Sequence, residues 1–240
     1  NKTSSILKFI PFNVVYKIYN PIVLNKEYDL AIDFDSYQMH TAIGALKCKS
    51  KKKAIWIHND IQIKIKEEFK YRILHFFFKD KYDYFDTYCA VSQGALDSFK
   101  EINKNKNKDK CYLVIPNYID TKEIADKLKE KSDIKVDKEK VNIVTVGRLC
   151  HQKGIDIMLD NIKQLSNVRK DFHLYIIGDG DEKEKLIEQM KRLDLEQYVT
   201  FLGNQKNPFK YLKEMDLFYL SSRYEGQGMV ILEAKSVGLD

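Results

Sequence analysis

Proline and cysteine are scarce, 4 of each in 240 residues, and secretory or membrane-spanning signals are missing altogether. Cys48, Cys89, Cys111 and Cys150 are widely scattered and form no Cys-x-x-Cys pair. That spacing argues against zinc and against a disulfide framework, and leaves reduced, mostly buried thiols. No run of ~18 uncharged apolar residues occurs, so no helix is expected to span a bilayer. The stretch Asn1 to Asn20 lacks the basic, apolar and small-residue succession of a signal peptide. The expected localisation is therefore cytoplasmic, with the inner face of the membrane as the alternative. Hydrophobic residues at 44% and charged residues at 32% exclude wholesale disorder. A mean hydropathy of −0.45 excludes a polytopic membrane protein.

Positive charge is in excess, +6 at neutral pH, with Lys-rich runs at Lys47 to Lys53 and Lys100 to Lys110. Those runs carry no interleaved aromatic platform, so no nucleic acid partner is expected. A solvated loop face is the preferred reading and a peripheral anionic membrane contact the next. The length suffices for two cores of ~100 to 150 residues each.

Short apolar runs alternate with longer amphipathic stretches, the pattern of βα units feeding a parallel sheet. In the first half the strand candidates are Tyr28 to Asp33, Ala54 to His58, Thr87 to Ser92 and Tyr112 to Ile115. Helical windows lie near Tyr37 to Lys47, Lys64 to Phe78 and Gly94 to Ile102. Pro116 and Asn117 then break the pattern, and a polar stretch from Thr121 to Lys140 reads as a helix plus linker. In the second half, strands are expected at Val141 to Val146, Phe172 to Ile177, Tyr198 to Leu202 and Leu217 to Leu220. The intervening helices fall near Ile155 to Leu165, Asp181 to Leu193, Pro208 to Lys213 and Gly228 to Val237. The expected organisation is a partial first domain (1–118), a hinge and linker helix (119–140) and a partial second domain (141–240), both short of the usual strand number and hence a piece of a longer enzyme.

Of the 10 glycines, 8 fall in the second half, and Gly147, Gly154, Gly178, Gly180, Gly203, Gly226 and Gly228 follow expected strand ends. That edge of an open α/β sheet is where ligands bind. In the loop Gly147-Arg148-Leu149-Cys150-His151-Gln152-Lys153-Gly154, two cations beside a helix start could hold a diphosphate and stabilise a leaving group, or could be solvated surface charges. The turn Gly178-Asp179-Gly180 lacks the third glycine of a dinucleotide fingerprint, which disfavours NAD. Phe201-Leu202-Gly203 could shelve a base. In Glu225-Gly226-Gln227-Gly228-Met229-Val230-Ile231-Leu232-Glu233, the second acid lies in the expected helix, deep enough to accept two hydrogen bonds from a ribose diol. No Asp-x-Asp accompanies this pair of acids, so a metal is not expected there. Read alone, the pair could be one solvent-facing and one helix-pairing acid.

Taken in order, these motifs resemble the retaining glycosyltransferases of family 4, also called glycosyltransferase group 1, of the capsular and lipopolysaccharide type. The resemblance is clearest from Val141 to Gly238; in the first half Trp56-Ile57-His58-Asn59-Asp60 carries it. It implies the GT-B fold, an α/β architecture of two Rossmann-like domains facing a cleft. It further implies that Arg148 and Lys153 bind the donor's diphosphate, Glu225 touches the transferred sugar and Glu233 holds the ribose. Gly226, Gln227, Gly228 and Met229 would offer backbone amides, with Gly147, Gly178, Gly180, Leu202 and Val230 completing the donor site. His58 is nominated opposite the donor sugar, although a lone His is otherwise a structural side chain. The implied activity is hexosyl transfer with retention, from a UDP- or GDP-sugar and without a metal, to a glycan or lipid-linked acceptor in cell-surface polysaccharide synthesis. The rival readings are a catalytically silent nucleotide-sugar-binding or scaffold module and a phosphorylase- or epimerase-like GT-B relative.

Overall fold

All strand pairs among the described residues are parallel, in two four-stranded sheets, which a chain can make only through helical crossovers. The computed structural model describes residues 10–20, 26–103 and 109–239. It divides into two units, residues 1–117 and 118–240.

The first unit opens with α1 (Phe12–Ile18), followed by β1 (Tyr28–Asp33), α2 (Met39–Lys47) and β2 (Ser50–Ile57). Then come α3 (Ile61–Glu67), α4 (Phe69–Phe78), a 3-10 segment (Lys79–Tyr84), β3 (Thr87–Ala90), α5 (Gln93–Ile102) and β4 (Cys111–Val114). The sheet order is β1-β2-β3-β4. Its core is aromatic as well as aliphatic: Phe12, Ile43, Ile55, Ile57, Phe85, Tyr88 and Phe99 are each fully buried. Side-chain caps start α3 and α5, with Asp60 Oδ1 accepting from Ile63 N and Ser92 Oγ from Ala95 N.

Two differences from the sequence-based expectation stand out in this unit. The expected Lys64 to Phe78 helix is two helices, because Glu68 adopts an extended backbone (φ −114°, ψ 106°) between them. The Lys47 to Lys53 run is not a solvated loop; Lys52 and Lys53 pair in register with Leu30 and Ala31, so β2 begins at Ser50. Lys47, Lys51 and Lys53 also donate to Asn20, Asp29 and the Leu46 carbonyl respectively. In the Lys100 to Lys110 run, Lys104, Lys106 and Lys108 lie outside the described residues.

The second unit comprises α6 (Thr121–Lys127), β5 (Val141–Val146), α7 (Ile155–Val168), β6 (Phe172–Ile177), α8 (Lys183–Arg192), β7 (Val199–Gly203), α9 (Phe209–Leu212), β8 (Leu217–Phe218) and α10 (Met229–Ser236). The segment expected to be a hinge and linker, 119–140, is part of this unit's core. Ile119, Ile124, Leu128, Ile134 and Val136 pack with Val144, Tyr175 and Phe209. On the other face, Leu149, Met158, Leu159, Leu174 and Ile176 form a fully buried layer, each side chain contributing roughly 1.5 to 3 kcal/mol.

Strand order here is β7-β6-β5-β8. The chain winds outward from β5 through β6 to β7, then returns to place β8 on the other side of β5. β5 and β8 therefore flank the topological switch point, where diverging loops leave a crevice at the carboxyl ends of the strands. At the opposite, amino end of these strands Asp216 secures β8 to β5, its Oδ2 accepting from Asn142 N at 2.7 Å and from Asn142 Nδ2 at 3.2 Å.

Candidate functional site

The two loops that leave β5 and β8 are interlocked. Arg223 N donates to Gln152 O at 2.8 Å, Gln152 Nε2 to Tyr224 O at 3.1 Å, and Ser221 Oγ to Gly154 O at 2.8 Å. Gly154 is required by this closeness: its φ is +61°, and a Cβ there would sit 2.2 Å from Ser221 O. Arg223 then locks the second loop onto α7 through a bidentate pair with Asp156, at 2.8 and 2.6 Å. The hydrogen bonds from Arg223 hold the Asp156 carboxyl below the usual carboxylate range.

The β6 loop joins the same edge. Gly178, at φ +148°, places its would-be Cβ 1.8 Å from Gly147 O, so no other residue fits without moving the β5 loop. Gly147 N donates to Ile177 O at 3.0 Å, Leu149 N to Asp179 O at 2.9 Å and Gly178 N to Gly203 O at 2.8 Å. The loops after β5, β6 and β7 are thus joined in sequence, with Gly147, Gly178, Gly180 and Leu202 along one sheet edge.

Into this edge project the charged residues singled out by the sequence. Lys153 Nζ lies 2.7 Å from Glu225 Oε1, and Ser222 Oγ donates to the same oxygen at 2.7 Å. Arg148 stands exposed beside them in sequence and makes no ion pair among the described residues. Gly226 and Gln227 lead to Gly228, whose φ of +65° turns the chain into α10, so the α10 N-terminus with Met229 and Val230 adjoins Glu225. Glu233, on the second turn of α10, is half-buried. Burial pushes its carboxyl up, against the opposing attraction of Lys127 and Lys153. Lys153 therefore acts electrostatically on both glutamates.

His58 belongs to the first unit. It follows β2, its Nε2 2.8 Å from Phe34 O, and its ring packs against Phe34 at 4.6 Å and Trp56 at 6.5 Å between centroids. The first unit also contains buried charged groups that the sequence does not disclose. Lys81, fully buried, donates to Ser36 O, and burial lowers its ammonium to about 8 despite the nearby Asp33. Asp33 is itself buried, which pushes its carboxyl up. A Lys in a polar 3-10 segment and an Asp at a strand end carry no signal of burial in the sequence.

Two Asp-x-Asp triplets do occur elsewhere, Asp33-Phe34-Asp35 and Asp179-Gly180-Asp181. Asp33 is buried, and Asp179 is engaged by Gly180 N and by Lys183 Nζ, both at 2.8 Å. Among the described residues no group of three His, Cys, Asp or Glu side chains is placed to hold a metal ion.

Residues 126–239 match the family model described as glycosyl transferases group 1. The chain's architecture is GT-B, with an α/β sheet in each of two units. Over 248 aligned positions the chain is 29% identical to an uncharacterized glycosyltransferase of Methanocaldococcus jannaschii, covering 95% of this chain and 59% of that protein. It is 32% identical, over 62% of its length, to 38% of an N-acetylgalactosamine-N,N'-diacetylbacillosaminyl-diphospho-undecaprenol 4-alpha-N-acetylgalactosaminyltransferase of Campylobacter jejuni. The chain thus spans well under two thirds of either relative. Among solved structures, Anabaena HepE in complex with UDP and glucose aligns with a TM-score of 0.66 at 21% identity, over 88% of this chain and 57% of that one. The pneumococcal O-GlcNAc transferase in complex with UDP and GlcNAc aligns at 0.64 and 18%, over 88% and 40%.

Proposed function

We propose that the protein transfers a hexosyl group from a nucleoside-diphosphate sugar, UDP- or GDP-linked, to a glycan or lipid-linked acceptor in cell-surface polysaccharide synthesis. The observation that carries this reading is the meeting of the Lys153 loop and the Glu225 loop at the switch point, within a region that matches the model of glycosyl transferases group 1. A doubly wound sheet binds nucleotides there, and Lys153 with Arg148 supplies fixed cations for a diphosphate. The Campylobacter jejuni relative is named as a diphospho-undecaprenol sugar transferase, which supports a lipid-linked acceptor; a Rhizobium meliloti relative named as a lipopolysaccharide core biosynthesis mannosyltransferase supports the cell-surface polysaccharide setting.

In this reading the diphosphate takes Lys153 from Glu225 when the donor binds. Lys153 and Arg148 then stabilise negative charge as the glycosyl–phosphate bond breaks. The freed Glu225 carboxylate accepts from hydroxyls of the transferred sugar, Glu233 accepts from the ribose, and the amides at Gly226 to Met229 bind sugar or phosphate oxygens. Gly147, Gly178 and Gly180 let the backbone approach the donor, and Leu202 and Val230 line it. Transfer proceeds with retention, an oxygen of the departing phosphate or a carboxylate receiving the acceptor proton. No metal takes part, the tie of Asp179 to Lys183 supporting this for the nearer Asp-x-Asp triplet.

Calorimetric titration with UDP and with GDP, with and without EDTA, tests the reading. Binding of one of them, unaffected by EDTA, is expected; binding abolished by EDTA, or no binding of either, contradicts it.

A further inference from the structure

Ser222 occupies a fixed place in the loop that carries Glu225. Its neighbours on both sides are tied to the β5 loop and α7: Ser221 Oγ donates to Gly154 O at 2.8 Å, and Arg223 Nη1 donates to His151 O at 2.8 Å besides its bonds to Asp156. Tyr224, the next residue, is buried. With the chain held at all three neighbours, the direction of the Ser222 side chain is set, and its hydroxyl donates to Glu225 Oε1 at 2.7 Å. Lys153 Nζ lies 2.7 Å from that same oxygen, so Oε1 takes both donors and Oε2 is held by neither. The two donors differ in charge. An anionic phosphate competes with Glu225 for the Lys153 ammonium by full Coulomb attraction, whereas a neutral hydroxyl gains far less from such a move. A glutamate left with no donor would regain its rotamer freedom, and ordering it again against a sugar would cost entropy.

We propose that Ser222 is a positioning residue for Glu225: it holds Oε1 while a nucleotide sugar draws Lys153 to its diphosphate, and so keeps Oε2 aimed at a hydroxyl of the transferred sugar. The inference rests on the function proposed above and adds to it a residue that acts on the donor sugar only through Glu225. The two donors to Oε1 then divide the work. Lys153 is shared between the ligand-free and the bound state, and Ser222 is the partner that stays. A neutral donor suits this place, because a second cation would pair with the carboxylate and compete with the sugar for it. In the sequence Ser221 and Ser222 are two equivalent loop serines. The structure separates them, since Ser221 ties the two loops together and Ser222 reaches Glu225.

Calorimetric titration of the whole chain with UDP and GDP, and with UDP-glucose, UDP-N-acetylglucosamine, UDP-galactose and GDP-mannose, tests the proposal. The quantity read is the ratio of the affinities for a sugar-bearing nucleotide and for its sugar-free diphosphate. For a donor whose ratio Glu225→Ala lowers, Ser222→Ala should lower it roughly tenfold, the scale of a hydrogen bond to a charged group. Affinity for the sugar-free diphosphate and the melting temperature should be retained. Ser222→Thr keeps the hydroxyl and should restore the ratio. The double variant should lose no more than Glu225→Ala alone, because the serine acts only through that glutamate. A serine with a merely structural role would instead lower diphosphate affinity and melting temperature together, and its loss would add to that of Glu225→Ala. The proposal is overturned by a parental ratio in Ser222→Ala, by that structural pattern, or by a ratio that Glu225→Ala leaves unchanged for every donor. The first two outcomes leave the proposed function standing. A parent that binds none of these nucleotides refutes that function, and this inference with it.

Discussion

Lys153 and Glu225, brought together from loops 72 positions apart, form an ion pair of 2.7 Å at the switch point of the second sheet. The pair is largely shielded, with side-chain exposures of 17% and 24%. The pair holds the Lys153 ammonium in place, and under the proposed function nucleotide binding would exchange one anionic partner of Lys153 for another.

That exchange predicts opposite behaviour for the two glutamates. Glu225→Ala should bind the sugar-free diphosphate at least as tightly as the parent, since Lys153 loses its competing partner, while turnover of the sugar donor falls. Glu233→Ala should weaken diphosphate and donor alike, by up to roughly 1.5 to 3 kcal/mol per charged hydrogen bond. Titration beside steady-state rates separates the cases. A Glu225→Ala protein that loses diphosphate affinity would refute the assignment.

Nucleotide affinity should also depend on pH through Glu233. Burial raises its carboxyl, so the group takes up a proton at a higher pH than an ordinary glutamate. Its ionised form is the better acceptor for a ribose diol, so affinity should fall on acidification, beginning above the usual carboxylate range. Glu233→Gln should bind more weakly and lose this component of the pH profile; an unchanged profile in the variant would contradict it.

Much of the second unit is legible in the sequence, and the reason is local. Val141–Val146 and Phe172–Ile177 are strands over the limits expected from their continuous apolar runs, and the glycines at 147, 154, 178 and 228 mark the loops. What cannot be read locally is partnership. Nothing in the sequence around Arg223 announces its bidentate bond to Asp156, 67 positions away, which fixes the β8 loop. In the first unit, Lys51–Lys53 look like solvated charge because the neighbouring β1 pairing that makes them a strand is a tertiary event. The break at Glu68 is equally hidden, since the sequence around it keeps a helical composition. α1 (Phe12–Ile18) is too short to show a clear period, although Phe12 and Val15 prove fully buried.

Glycine 154 offers a test of the loop contact itself. Gly154→Ala combines a left-handed backbone with a Cβ placed 2.2 Å from Ser221 O, so it should destabilise the second unit by more than the ~1 to 3 kcal/mol of backbone strain alone. Thermal melting and nucleotide titration should both register the loss. A variant with parental stability and affinity would mean the two loops are not held as described.

His75 in the first unit makes a pH-dependent contribution to stability. Burial, with Lys79 and Lys81 adding repulsion, lowers its pKa from 6.5 to about 4. Between these values the unfolded chain binds more protons than the folded one, so stability should fall as the pH drops from about 6.5 toward 4. His75→Leu should flatten that part of the stability curve, measured by urea unfolding across the range. An identical slope in the variant would contradict the assignment.

Whether Lys153 is the diphosphate-binding cation of the switch-point site is decided by calorimetric titration of the Lys153→Met variant with UDP and GDP. The account predicts that whichever nucleotide the parent binds will bind roughly tenfold or more weakly to the variant, the loss of a charged hydrogen bond of ~1.5 to 3 kcal/mol, with the melting temperature of the second unit little changed. Parental affinity in a folded Lys153→Met protein would contradict it.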